Sequence, residues 1–129
     1  MLSGVVILGL LASGPQATAP RRVPTGEWGG PHARLDVKAD GARLELDCAR
    51  GTIEGAIALG RGGRFRTKGL FQREIGPEMD EGAAQGRPAQ YSGTLKGSVL
   101  TLVILTEDRQ EVGPFKLERG ARAELVKCQ

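Results

Sequence analysis

The segment ARLDVKADGARLELDC, residues 33–48, decides the fold. Leu35, Val37 and Ala39 alternate with charged Arg34, Asp36 and Lys38, and Leu44, Leu46 and Cys48 alternate with Arg43, Glu45 and Asp47. Alternation of period two puts apolar side chains on one face of a strand and charges on the other. Asp40-Gly41 stands between the two runs. Such a pair is the strongest short-range signal for a hairpin, because both turn residues take positive φ. The segment is thus predicted to be an antiparallel hairpin with one dry face that ends in a cysteine.

The chain downstream reads as further strands of the same sheet. Gly51 to Leu59 alternates again, with Ile53, Gly55, Ile57 and Leu59 on one side. Gly60-Arg61-Gly62-Gly63 is a turn, and Arg64 to Phe71 a strand with Phe65 and Thr67 inward. Residues 76–88, GPEMDEGAAQGRP, form a polar loop too long for a hairpin connection. Tyr91 to Leu95 resumes the strands and Lys96-Gly97 turns the chain. Val99 to Thr106 is apolar on both faces, which predicts the most buried strand. Val112 to Glu118 follows, and Arg119-Gly120 leads to a last strand ending at Cys128. Seven to eight short strands with no helical period predict an all-β fold, a small antiparallel β-barrel or a sandwich. The 20 glycines suit the bulges and corners of a tightly curved sheet.

The first 20 residues carry no charge, Met1 to Ala12 is apolar, and Ala17-Thr18-Ala19 has the form of a processing site. Residues 1–19 read as a signal peptide, and the apolar run is too short for a spanning helix. Export is the expected localisation, periplasmic or extracellular, with no transmembrane segment in the mature chain. Residues 20–25, PRRVPT, read as a flexible basic tail, and 26–129 as one barrel domain. The two cysteines, Cys48 and Cys128, favour a disulfide in an oxidising compartment; in a reducing one they would be buried thiols. Leu44, Leu46 and Cys48 share a face, whereas Cys128 falls opposite Leu125. A Cys48–Cys128 bond therefore predicts a bulge or strand end near Val126–Lys127.

Two distant cysteines and one histidine match no zinc spacing, so neither metal nor cofactor is expected. Glu78, Asp80 and Glu81 cluster in the long loop without the Asp-x-Asp-x-Asp-Gly spacing of a calcium site. The net charge of +3 is mild. Arg64, Arg66 and Lys68, beside Arg61, are the one concentrated basic feature, suited either to anionic head groups and polysaccharides or to discouraging strand pairing. Nucleic acid is not expected, since stacking platforms are few. Trp28 is a plug at a barrel end or an aromatic wall for a ligand. His32, the sole histidine, has no marked nucleophile beside it, so an enzyme is not expected.

The order Trp28-Gly29-Gly30-x-His32, Asp47-Cys48-Ala49-x-Gly51-Thr52-Ile53, Arg73-Glu74-x-Gly76, Pro88-Ala89-x-Tyr91-x-Gly93 and Lys127-Cys128 resembles a family of small exported bacterial proteins with no assigned activity. That resemblance implies relatives and a compartment, not a reaction. The family pattern often carries further histidines where this chain has Ile75 and Arg87, so a three-histidine centre is not carried over. Gly26-x-Trp28 also resembles the opening of calycin barrels, which implies a late arginine, Arg119 or Arg122, packed on the tryptophan. The expected function is a non-enzymatic module binding a small apolar or anionic envelope ligand, with Trp28, His32, Arg64, Arg66 and Lys68 as candidate contacts. The alternative is a structural or protein-partner module, such as a periplasmic protease inhibitor presenting Arg21–Thr25.

Overall fold

The alternation that marks the hairpin is carried around a complete cylinder. In chain order the strands are β1 (Gly26–Gly30), β2 (Ala33–Lys38), β3 (Gly41–Leu46), β4 (Ala49–Glu54), β5 (Arg64–Arg73), β6 (Arg87–Lys96), β7 (Val99–Leu105) and β8 (Glu111–Arg119). This computed structural model describes residues 21–74 and 86–128. The expected signal peptide, Pro20 and most of the acidic loop, with Glu78, Asp80 and Glu81, lie outside the described residues. Each strand pairs antiparallel with the next and β8 returns to β1, closing a barrel. The sandwich alternative is thereby set aside. In the leading hairpin Ala33 faces Leu46, Leu35 faces Leu44 and Val37 faces Ala42, all buried, and Lys38 faces Gly41, so the turn is Ala39-Asp40 and not the expected Asp40-Gly41; Gly41 takes positive φ, Asp40 does not, and Ala39 is exposed.

The interior is packed with side chains. Trp28, Leu35, Phe65, Phe71, Tyr91, Leu102 and Leu117 are among those that fill it. Tyr91 is the largest fully buried side chain, and its hydroxyl donates to the carbonyl of Leu70 at 2.7 Å. Its ring crosses the barrel over two glycines. A Cβ on Gly51 would stand 1.9 Å from the Tyr91 oxygen, and one on Gly69 would stand 2.8 Å from the ring. Large residues on one strand thus fill the space that small residues leave on others, as narrow barrels require. Burial pushes the Tyr91 phenol far above its ordinary value, so it stays a neutral donor.

The upper rim, where β1 begins and β8 ends, is stoppered by residues 21–25 packed against 57–59. Arg22 bridges Ala58, the Val23 amide donates to Ile57 O at 3.0 Å, and the Leu59 amide donates to Arg21 O at 2.8 Å. Val23 and Ile57 are buried, and the Trp28 indole N–H donates to Pro24 O at 3.0 Å. The expected flexible tail is therefore corrected for Arg21–Thr25: its one aliphatic residue and its carbonyls are used by the barrel. The strand expected over Gly51–Leu59 stops at Glu54. Gly55, at φ +82°, turns the chain so that Ile57 covers the barrel end instead of continuing the sheet.

The closing seam is short. β1 and β8 pair over Trp28↔Arg119 and Gly29↔Glu118. Beyond that point residues 120–128 leave the sheet as a strap across β1. The strap passes so close over Gly29 that a Cβ there would lie 2.2 Å from Ala121 O. Glu124 then replaces β8 as the partner of β1: its amide donates to Gly30 O at 3.0 Å, and its carbonyl accepts from the His32 amide at 2.8 Å. The Cys128 amide reaches Asp47 O at 3.2 Å, and a Cys48–Cys128 disulfide, Cα atoms 5.2 Å apart, ties the strap to the β3–β4 turn.

Three expectations change here. The last strand ends at Arg119, not Cys128. The disulfide joins a turn to a strap, so the parity of Cys128 imposes no bulge near Val126–Lys127. The register shift lies instead between β7 and β8, where Leu102 faces Phe115 and Ile104 faces Val112, leaving an extra residue at Gly113-Pro114. β7 is also not apolar-packed on both sides: Leu100, Leu102 and Ile104 are fully buried, while Val99, Thr101, Val103 and Leu105 are half-buried outside.

Replacing both cysteines by serine reopens an 80-residue loop, and chain entropy then removes about 4–5 kcal/mol of stability; urea unfolding of the oxidised protein and the double variant measures it. Gly51→Ala is expected to cost about 2–3 kcal/mol by overpacking and Tyr91→Phe about 1 kcal/mol by orphaning Leu70 O. The double variant should cost less than their sum, because deleting the hydroxyl makes room for the methyl.

Candidate functional site

β5 places a row of cations on the outside of the barrel. Phe65 points inward, so its neighbours Arg64 and Arg66, and Lys68 beyond, point out, and all three are exposed. Same-face residues on a strand stand about 7 Å apart, so the row runs along roughly 14 Å of the surface. The register then defines what lies beside each. Arg64 faces Thr94, Arg66 faces Ser92 and Lys68 faces Gln90 on β6. These face Thr101, Val103 and Leu105 on β7, and Lys116 on β8 faces Thr101. Two strands of neutral residues thus separate the β5 row from a further cation.

Among the described residues, carboxylates stand only at the borders of this face. Glu54 ends β4, Glu111 faces Leu105 and Glu118 faces Val99. Arg64, Arg66, Lys68 and Lys116 enter no ion pair among the described residues. Like charges about 7 Å apart repel weakly in water and more strongly as water is displaced. A polyanion laid along the row relieves that repulsion, whereas a neutral ligand does not.

A second surface feature is an open groove of about 730 Å³ on the outside of β1–β5, lined by Glu27, Arg34, Asp36, Arg43, Glu45 and Arg50, among others. Its charges are mostly spent on each other. Arg34 pairs with Glu45, and the Arg50 guanidinium donates to Gln72 at 3.2 Å and lies 3.7 Å from Glu74. A ligand there must displace existing partners before it gains new ones. The outer face of β5–β8 asks for no such exchange.

The structure does not bring the remaining candidates to that face. Trp28 is buried at the upper rim with its indole nitrogen satisfied by Pro24, which makes it a plug and not a ligand wall. Arg119 stands opposite it in the β1–β8 ladder, with its side chain along Gly26; Arg122 lies on the strap. His32 sits on the β1–β2 turn at the lower rim. Its Nδ1 lies 2.7 Å from Asp47 Oδ2, and its amide is held by Glu124 as described. His32 is a latch for the strap. Among the described residues no group of three or more His, Cys, Asp or Glu side chains is placed to hold a metal ion.

Lys116 was missed in the sequence because β8 carries too few apolar residues to display its period. Leu117, the one fully buried residue of β8, was the available signal, since it sends its neighbours Lys116 and Glu118 outward.

Asp47 is the hub of the latch. Its Oδ1 accepts from the Val126 amide at 2.7 Å and its Oδ2 meets His32. These contacts, Val126 first, hold its carboxyl below its ordinary 3.8. Glu45 nearby is also held low: burial alone would raise it, but hydrogen bonds from Lys127 and Arg34 outweigh that. No family model, curated protein or solved structure matches the chain.

A carboxyl that is more acidic folded than unfolded stabilises fully above its unfolded value and progressively less below it. Protection of the Val126 and Cys128 amides, taken relative to their intrinsic exchange rates, should therefore be high at neutral pH and be lost as the pH falls through 3.8 and below. Asp47→Asn should make both amides exchange faster at neutral pH and remove the Asp47 part of the acid dependence; hydrogen exchange followed by NMR reads it.

Proposed function

We propose that this protein is an exported, non-enzymatic binding module that holds anionic components of the cell envelope on the outer face of β5–β8. The observation that carries this reading is the exposed row Arg64, Arg66 and Lys68, without ion-pair partners among the described residues and flanked by Ser92, Thr94 and Gln90 as hydrogen-bonding neighbours. The filled interior directs the search to the outside: Tyr91, Phe65 and Phe71 occupy the space that a small apolar ligand would need. The disulfide supports an oxidising compartment, where such bonds persist, and the resemblance to small exported proteins supports the same placement. An inhibitor presenting Arg21–Thr25 is disfavoured, because that segment closes the upper rim.

Arginine suits this task. Its planar guanidinium meets phosphate or sulfate oxygens with paired hydrogen bonds, and neighbouring hydroxyls add neutral donors. Binding of inorganic polyphosphate, followed by intrinsic fluorescence or calorimetry, tests the reading. Affinity should fall as salt rises, and Arg64→Gln, Arg66→Gln and Lys68→Gln together should weaken it at least about tenfold without moving the unfolding midpoint. Equal binding by the triple variant overturns the reading.

A further inference from the structure

The cations of this protein are partitioned between the two rims. The ion pairs His32–Asp47, Arg34–Glu45, Arg50–Glu74, Arg87–Glu107, Lys127–Glu45 and Lys127–Glu74 all belong to the lower half, around the strap and the lower connections. Among the described residues the one ion pair at the upper rim is Lys38–Asp36. Beside Arg119, which ends β8, and the exposed carboxylates Asp40 and Glu54, the topology gathers there Arg21 and Arg22 from the N-terminal segment, Arg61 from the 3₁₀ turn at Arg61–Gly63, Arg64 from the start of β5 and Lys96 from the end of β6. They are contiguous through the backbone: the Leu59 amide donates to Arg21 O at 2.8 Å and the Gly60 amide donates to Arg64 O at 2.7 Å. A Cβ on Gly63 would touch the Leu95 carbonyl, which brings the turn against the end of β6 beside Lys96. All five cations are exposed and enter no ion pair among the described residues.

We propose that this upper rim, with the adjoining row on β5, docks on the surface of an anionic lipid bilayer. The proposal rests on the anion-binding reading above and names its partner. Three observations favour a bilayer over a small anion or a glycan. The cations stand exposed on separate elements, the N-terminal segment, the 3₁₀ turn, β5 and β6, so they suit many phosphates on an extended surface better than one phosphate in a cleft. All five aromatic side chains are spent inside or half inside the barrel, Trp28, Tyr91, Phe65 and Phe71 buried and Phe115 half-buried, so none is spread as a platform for sugar rings or bases. Val99, Val103 and Leu105 lie half-buried on the same outer face, offering aliphatic surface beside the cations.

Electrostatic attraction to anionic lipid is worth roughly a fivefold gain in binding per cation close to the surface, and it fades with salt over a Debye length of ~8–10 Å. A bilayer under this rim therefore holds the domain reversibly.

Flotation of the full chain with phosphatidylcholine vesicles, with and without phosphatidylglycerol, tests the proposal. Any contribution of the apolar N-terminal stretch is common to both, so the difference between the two reports the rim. Wild type should show a phosphatidylglycerol-dependent component that is lost at high salt. Arg21→Gln, Arg22→Gln and Arg61→Gln together should weaken that component about a hundredfold. The charge-matched control Arg43→Gln, Arg73→Gln and Arg109→Gln, taken from the groove and the lower rim, should leave it nearly unchanged. Unfolding midpoints confirm that both variants fold. Equal weakening by both variants means that net charge alone acts, and overturns the docking surface. Polyphosphate binding without any phosphatidylglycerol dependence overturns the bilayer as partner and leaves the anion-binding reading standing. Failure of polyphosphate binding with vesicle association retained overturns that reading alone.

Discussion

Closure of the β1–β8 seam is the constraint on which this structure depends. A barrel removes exposed strand edges only if its first and last strands meet. Here they meet over Trp28↔Arg119 and Gly29↔Glu118 and then part. The rest of the β1 edge is covered by the strap, through the hydrogen bonds that the Glu124 amide donates to Gly30 O and its carbonyl accepts from the His32 amide, and through the close passage over Gly29. The disulfide holds the far end of that strap. Core, seam and strap are thus one arrangement: the core shapes a cylinder that the sheet hydrogen bonds alone leave partly open.

The same arrangement sorts the charges. Securing the strap requires Asp47, His32, Lys127 and Glu45 to bond one another and the backbone, which spends the charges of the lower rim on structure. The upper rim is closed differently, by apolar Val23 and Ile57 and by backbone hydrogen bonds. Its arginines are left over. A protein can spend its charged groups either on stability or on a partner, and this one divides those uses between its two ends.

Much of the barrel was legible from residues 33–48, because strict alternation on both sides of a turn fixes which residues face inward; the turn itself falls one residue earlier than Asp40-Gly41, since Gly41 pairs with Lys38. The outward row on β5 was legible for the same reason. Other features were hidden because different structures satisfy the same local pattern. Ile57 continues the alternation of Ile53, yet it is buried against the N-terminal segment beyond the turn at Gly55. Arg21–Thr25 has the composition of a free tail, and Val23 alone hints that it packs. Residues 120–128 alternate like a strand, but they have a partner on one side. The fit of Tyr91 over Gly51 and Gly69 joins residues on three strands, and the upper-rim cluster collects cations from four separated places. Local reading has no access to such pairings.

The strap also imposes an order on biosynthesis. Cys48 lies in the fourth tenth of the chain and Cys128 is the penultimate residue, so a chain made or translocated N-terminus first presents one sulfur long before its partner. The early thiol must stay unmodified, or be exchanged, until the whole sequence has arrived. Strands β1 to β7 can pair with their predecessors as they appear, but β8 must find β1 across the full length of the domain, a contact of high sequence separation and hence slow to form. Oxidation therefore records that the strap has crossed β1 and reached the β3–β4 turn: the bond forms only after every strand has been made.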